Sequence, residues 1–223
     1  MKINRLYKKY WFAFFIIILF DSVYTYVWPT GSNRILTISC VILGSVLCLS
    51  LVRFYLQEPL EEYGLHLKSP HIQLICILLI TFTISFLAYY RNLTKDGTTL
   101  VLTKSTLKNI GELFPVSFTI LLLASVTYEE VLFRGFLLTF FQKLTDSSFL
   151  GVFISAFWFG LMHYSSSGTL EENLERLISA FIFGIIYGYL RVKEPQKFTL
   201  FSLSIGHFLN DFIALILPAI LYA

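Results

Sequence analysis

Apolar runs about as long as a bilayer crossing recur along this chain, and they leave few folds open. They fall at residues 10–28, 35–56, 72–90, 112–144, 149–164, 174–190 and 198–222. About twenty apolar residues span hydrocarbon as a helix. Inside lipid each backbone N–H and C=O must be satisfied internally, which leaves helices or closed barrels. Runs this long exclude short barrel strands. The expected fold is all-α and polytopic, with about seven transmembrane helices enclosing a polar pocket within the membrane.

Composition agrees. Hydrophobic residues make up 56% and charged residues 14%, against roughly a quarter charged in soluble domains. The net charge of +3 is too small to indicate a nucleic-acid partner. The bilayer is the expected partner, and the chain an integral, multi-pass protein of the cell membrane. Lys2, Arg5, Lys8 and Lys9 precede the first run and predict a cytoplasmic N-terminus. The basic interval from Arg91 to Lys108 pulls the other way. No small-x-small cleavage site ends the first run, so it reads as a retained span rather than a signal peptide. Asp21 within it reads as an acid near the interface, meeting water or a tyrosine.

No repeat or linker divides the chain, so residues 1–223 read as one membrane-embedded domain. Its first part, 1–111, holds three spans. Residues 100–108 can lie along the membrane surface as an amphipathic stretch. Cys40, Cys48 and Cys76 sit in apolar runs, form no C-x-x-C pair and read as small buried hydrophobes. His66 and His71 flank an acidic turn at 57–64 and read as interfacial. Ala180, Gly184 and Gly188 recur every fourth residue, which lets another helix approach closely.

The chemistry collects in 112–223. A charge at mid-bilayer costs about 2.5–3.5 kcal/mol on insertion scales, yet Glu129, Glu130 and Arg134 share one apolar segment. Glu130 and Arg134 are spaced to face each other on a helix and to neutralise one another, a mainly structural pair. Glu129 is turned about 100° away and lacks a local partner. A carboxylate in such a place suits a general base or acid. His163 closes the next run, with Phe159 one turn before it. The last run holds His207, Asn210 and Asp211. If the three segments converge, Glu129 assisted by His163 can take a proton from water. His207 and Asp211 can then stabilise the oxyanion on a peptide carbonyl.

Glu129-Glu130-x-x-x-Arg134, Phe159-x-x-x-His163 and His207-x-x-x-Asp211 resemble, in order and kind, the three motifs of the CPBP family. These are the CAAX proteases and bacteriocin-processing (Abi) enzymes, related to type II CAAX prenyl proteases. The resemblance covers about half the chain, from residue 112 onward. It implies a helical intramembrane endopeptidase acting on a membrane-associated protein or peptide. Glu129, His163, His207 and Asp211 would be catalytic, supported by Glu130, Arg134, Asn210 and Phe159. CAAX-type members often carry Asn where this chain has Asp211. An ionised Asp accepts hydrogen bonds but does not donate them, so it would orient His207, and Asn210 can supply the amide. The expected mechanism is glutamate-based and needs no cofactor. Zinc held by Glu129, His163 and His207 is the alternative chemistry. The alternative function is a non-catalytic bacteriocin-immunity or regulatory protein using the same pocket to bind.

Overall fold

The computed structural model describes residues 2–27, 34–66, 72–81, 116–165 and 168–215. The stretch 100–108, the remainder of the third run, His71 and the end of the last run lie outside them. Among the described residues there are seven helices and no strand. They are α1 (Lys2–Val27), α2 (Arg34–Ser50, continued by a wide turn Leu51–Leu56), α3 (Ile72–Thr81), α4 (Val116–Glu129, Glu130–Leu137 and Leu138–Thr145 end to end), α5 (Ser148–Met162), α6 (Leu170–Lys193) and α7 (Leu200–Leu215). The all-α expectation is met. Among the described residues one helical stretch, Leu36–Leu56, is long and apolar enough to cross a membrane. Ser148–Met162 and Ile72–Thr81 are apolar but shorter.

Helix α4 is the hub. The described part of the long run, from Val116 on, is one helix interrupted by a π-helical turn, Glu130–Leu137. There the backbone bonds reach back five residues, as Leu138 N–H does to the Phe133 carbonyl. Such wide turns bend a helix and often mark functional positions. Every side chain from Glu130 to Leu137 is buried, and α2, α5, α6 and α7 all contact this turn. Ser155 on α5 donates a second hydrogen bond to the same Phe133 carbonyl, at 2.6 Å. A hydroxyl from a neighbouring helix thus reinforces the carbonyl where the helical ladder is disturbed.

The other helices are arranged around this turn. Ser147 caps α5, its hydroxyl accepting from Leu150 N–H. Thr169 and Glu172 form a reciprocal capping box on α6. Gly184 meets α5 so closely that an added Cβ would lie 2.9 Å from the Ala156 Cβ and 3.0 Å from its Cα. Close approach at the small-residue stripe is therefore what the spacing of Ala180, Gly184 and Gly188 predicts. Asp21 is buried and accepts a 3.0 Å bond from the Tyr128 hydroxyl, so α1 is tied directly to α4.

The outward faces are apolar. On α5, Phe149, Phe153, Phe157 and Leu161 are exposed at every fourth position, while Val152, Ser155, Ala156 and Phe159 are buried. Phe12, Phe15 and Leu19 on α1 and Leu43, Val46 and Phe54 on α2 are exposed too. Contiguous apolar surface of this kind marks contact with another apolar phase.

A polar cluster closes one end of the bundle, where the ends of the apolar runs at 10–28 and 112–144 meet the turn after α2. Glu58, in the turn after α2, accepts bonds from the Tyr10 and Tyr63 hydroxyls. Lys143, in the last turn of α4, lies 2.8 Å from Glu58 and 2.7 Å from Glu62. Burial raises the Glu58 pKa, but hydrogen bonds from Lys143, Tyr10 and Tyr63 outweigh it and hold the carboxyl below its ordinary range. Burial works against the Lys143 ammonium, and its bonds to Glu58 and Glu62 more than offset that, raising its pKa. Gly64, at φ +91°, carries the chain past Arg191, whose guanidinium donates to the Glu62 carbonyl at 2.9 Å. A side chain at residue 64 would be both strained and in the way of that guanidinium.

Candidate active site

His207, on the buried face of α7, lies between the two adjacent acids of α4. Its Nδ1 is 2.8 Å from Glu130 Oε1. Its Nε2 is 3.8 Å from Glu129 Oε2 and 3.7 Å from Asp211 Oδ2. The first distance is a hydrogen bond in which Nδ1–H donates; the other two are too long for one. Glu130 is completely buried, whereas Glu129 and Asp211 are each 31% exposed at the side chain. One acid therefore fixes the ring and two remain reachable by solvent around its other nitrogen.

Arg134 stands 3.1 Å from Glu130 on the same turn, as the spacing predicts. Its guanidinium also lies over the Phe159 ring at 4.1 Å, with Phe183 at 5.5 Å and Tyr187 at 5.7 Å. Three aromatic faces and one carboxylate are what this buried cation has in place of water. The same rings flank the imidazole of His207: Phe183 at 4.8 Å, Phe159 at 6.0 Å and Tyr187 at 6.4 Å between centroids. Phe159 thus supports both Arg134 and His207.

His163 ends α5, and its Nδ1 is 2.8 Å from the Phe159 carbonyl. A carbonyl only accepts, so Nδ1 carries the proton and Nε2 of the neutral ring is a free acceptor. The ring rests on Phe159 at 4.6 Å. His163 also interacts electrostatically with Glu129, as do His207 and Asp211.

A cavity of about 380 Å³ opens here, lined by Phe159 and His163 of α5, Arg176, Ala180 and Phe183 of α6, and His207, Asn210 and Asp211 of α7. Glu129 is not on its wall and meets it at His207 Nε2. The Asn210 amide lies 3.4 Å from Asp211 Oδ1. Among the described residues no three His, Cys, Asp or Glu side chains stand close enough together to hold a metal ion. Glu129, His163 and His207 are not such a group.

Two features were not evident from spacing. The Glu130–Arg134 pair is more than self-neutralising, because the same Glu130 oxygen that faces Arg134 also holds His207. Phe183 and Tyr187 carried no motif; their four-residue spacing on α6, set against the arginine inside the apolar run at 112–144, was the available signal.

Residues 111–213 match the model of the family described as type II CAAX prenyl endopeptidase Rce1-like. No curated protein and no solved structure matches the chain. The matched stretch runs from before α4 to near the end of α7 and contains all seven side chains of the three motifs, together with Asn210. Proteins of that family are proteases of peptide or protein substrates and reside in membranes; residues 111–213, a little under half of this chain, are similar to them and support its assignment to the CPBP (CAAX protease) family.

Proposed function

We propose that this chain is a multi-pass intramembrane endopeptidase in which Glu129 and His163 activate water and His207 holds the oxyanion. The observation that carries this is the setting of His207. Its Nδ1 is held by buried Glu130 at 2.8 Å, while Nε2 faces Glu129 and Asp211 beyond bonding distance. An imidazole fixed on one side and open on the other is preorganised to donate to a developing negative charge.

The steps follow from the donors and acceptors present. A water between Glu129 and His163 gives one proton to the Glu129 carboxylate and donates its other hydrogen to His163 Nε2. Its oxygen attacks the peptide carbonyl carbon, and the oxyanion accepts Nε2–H from protonated His207. Asp211 orients that imidazole, and the Asn210 amide is the second donor. The tetrahedral intermediate collapses as Glu129 passes its proton to the leaving nitrogen, releasing an amine and a carboxylic acid, whose remaining proton passes to His163 Nε2 to leave a carboxylate. The apolar faces of α1, α2 and α5 support a location in the bilayer, and the basic N-terminus supports a cytoplasmic start of the chain.

Membranes from cells carrying wild-type protein or Glu129→Gln, compared by peptide-terminus proteomics, test this. At least one membrane-associated peptide should gain a new end only with the wild-type protein. Identical termini, with both proteins accumulating equally, would overturn it.

A further inference from the structure

Helix α3 lies outside residues 111–213 and carries none of the three motifs. Within Ile72–Thr81 only Gln73 and Thr81 have a nitrogen or oxygen in the side chain. Both are buried, and both reach toward the helix that carries His207. Gln73 accepts from the Thr199 hydroxyl at 2.8 Å, and its amide donates to the Gln196 carbonyl at 3.2 Å. Thr199 in turn accepts from Ser202 N–H at the first turn of α7. Thr81 donates to the Gly206 carbonyl at 3.2 Å. An apolar helix thus gives one polar side chain to the start of α7 and the other to the residue before His207.

The two attachments are in register. Gln73 and Thr81 are eight residues apart and Thr199 and Gly206 seven, about 12 Å and about 10 Å at ~1.5 Å per residue. Helices α3 and α7 therefore run side by side in the same direction. They meet closely, because a Cβ at Gly206 would lie 2.3 Å from Ile77 Cγ1 and 2.7 Å from the Tyr187 hydroxyl. The Thr81 hydroxyl has one proton, which it gives to the Gly206 carbonyl, so the Tyr187 hydroxyl, 3.5 Å away, is the donor at Thr81. That distance is at the outer limit of a hydrogen bond. Tyr187 is one of the rings that cover Arg134 and flank His207. Thr81 therefore touches two supports of the imidazole, the backbone just before it and a ring beside it.

We propose that Thr81 is a positioning residue for His207, so that the active site draws on a helix beyond the matched stretch. Its hydroxyl fixes the rotation of α7 at Gly206 and keeps Nδ1 of the next residue in line with Glu130. This deepens the peptidase reading of the same site, yet the imidazole can be observed without any substrate.

The test uses the full chain in detergent micelles with isotopically labelled histidine, followed by nitrogen–proton NMR. The chain has four histidines, and the Nδ1–H resonance of His207 is assigned by its loss in His207→Gln. In Thr81→Val that resonance should move, and its exchange with water should rise about five- to tenfold, the factor that one net hydrogen bond sets. Thr81→Ser keeps the hydroxyl and should restore both. If Thr81→Val fails to accumulate, Thr81→Cys takes its place, since a thiol is a weak donor, and the same change is expected. Glu58→Gln, in the polar cluster at the end of the bundle, should leave the resonance as in wild type. Peptide ends that appear only with the wild-type protein should become correspondingly scarcer in Thr81→Val at equal protein levels. An unmoved resonance in Thr81→Val, an equal change in Glu58→Gln, or a moved resonance with undiminished peptide ends would overturn the proposal. If the wild-type protein produces no such ends, the hydrolysis reading fails, and the resonance alone decides whether Thr81 holds His207.

Discussion

Glu130 and His207 are 77 residues apart in the chain and 2.8 Å apart in space. This bond joins α4 to α7 at the centre of the bundle, and it pairs the less accessible of two neighbouring acids with the imidazole. Glu130→Ala should therefore act on folding as well as on chemistry. It leaves Arg134 buried without its carboxylate, which costs about 3–5 kcal/mol in comparable buried pairs. Thermal unfolding in detergent should show a large drop in Tm. Glu129→Ala, at a partly exposed side chain, should unfold near the wild-type temperature while abolishing cleavage. Equal stability losses in the two variants would contradict this division of labour.

Arg134→Lys keeps the charge but not the flat surface that three rings cover. We expect it to lower stability by about 1–2 kcal/mol, the scale of desolvated cation–ring contacts. Activity should fall as well, because Phe159 and Phe183 also flank His207. A variant with unchanged Tm and activity would show that the ammonium is accommodated equally well.

Ser155→Ala removes the donor to the Phe133 carbonyl at the wide turn. The expected loss is about 1 kcal/mol, one net hydrogen bond. Hydrogen exchange should rise at residues 131–138 more than elsewhere in α4. An unchanged exchange pattern would mean the turn does not depend on α5.

The Glu58–Lys143 cluster has a defined pH dependence. Glu58 titrates below its ordinary value in the folded chain, so its contribution is present above the unfolded pKa and is lost as pH falls through the depressed folded value. Lys143 is shifted upward, so its contribution is intact below its ordinary pKa and is lost only as pH rises through the raised folded value. Wild type should therefore exceed Glu58→Gln in Tm across neutral pH, and the two should converge in strong acid. A gap that persists there would assign the effect to packing rather than charge.

Most of the helices could be traced in the sequence because apolar run length and helical spacing are local properties. Glu130–Arg134, Phe159–His163 and His207–Asp211 stood out for the same reason: each is a one-turn relation on a single helix. Relations between helices were not legible. Glu130 satisfies Arg134 by spacing alone, so nothing local discloses that His207 shares it. The wide turn at 130–137 has no composition of its own; it exists because neighbours on four helices bury every side chain in it. The Tyr10–Glu58–Lys143 cluster gathers residues from separate, individually unremarkable segments.

The wide turn makes α4 unusually sensitive to chain length. Dropping one residue between 131 and 137 would still permit a continuous helix, and by composition nothing would look amiss. A wide turn holds one residue more than an ordinary helical turn, so the helix before and after it would keep nearly its present bearing while the turn itself was lost. A deletion between Glu130 and Arg134 would bring those two to a three-residue spacing and disturb the one Glu130 oxygen that serves both Arg134 and His207. In this segment the residue count itself is a functional quantity, and divergence here should proceed by substitution rather than by insertion or loss.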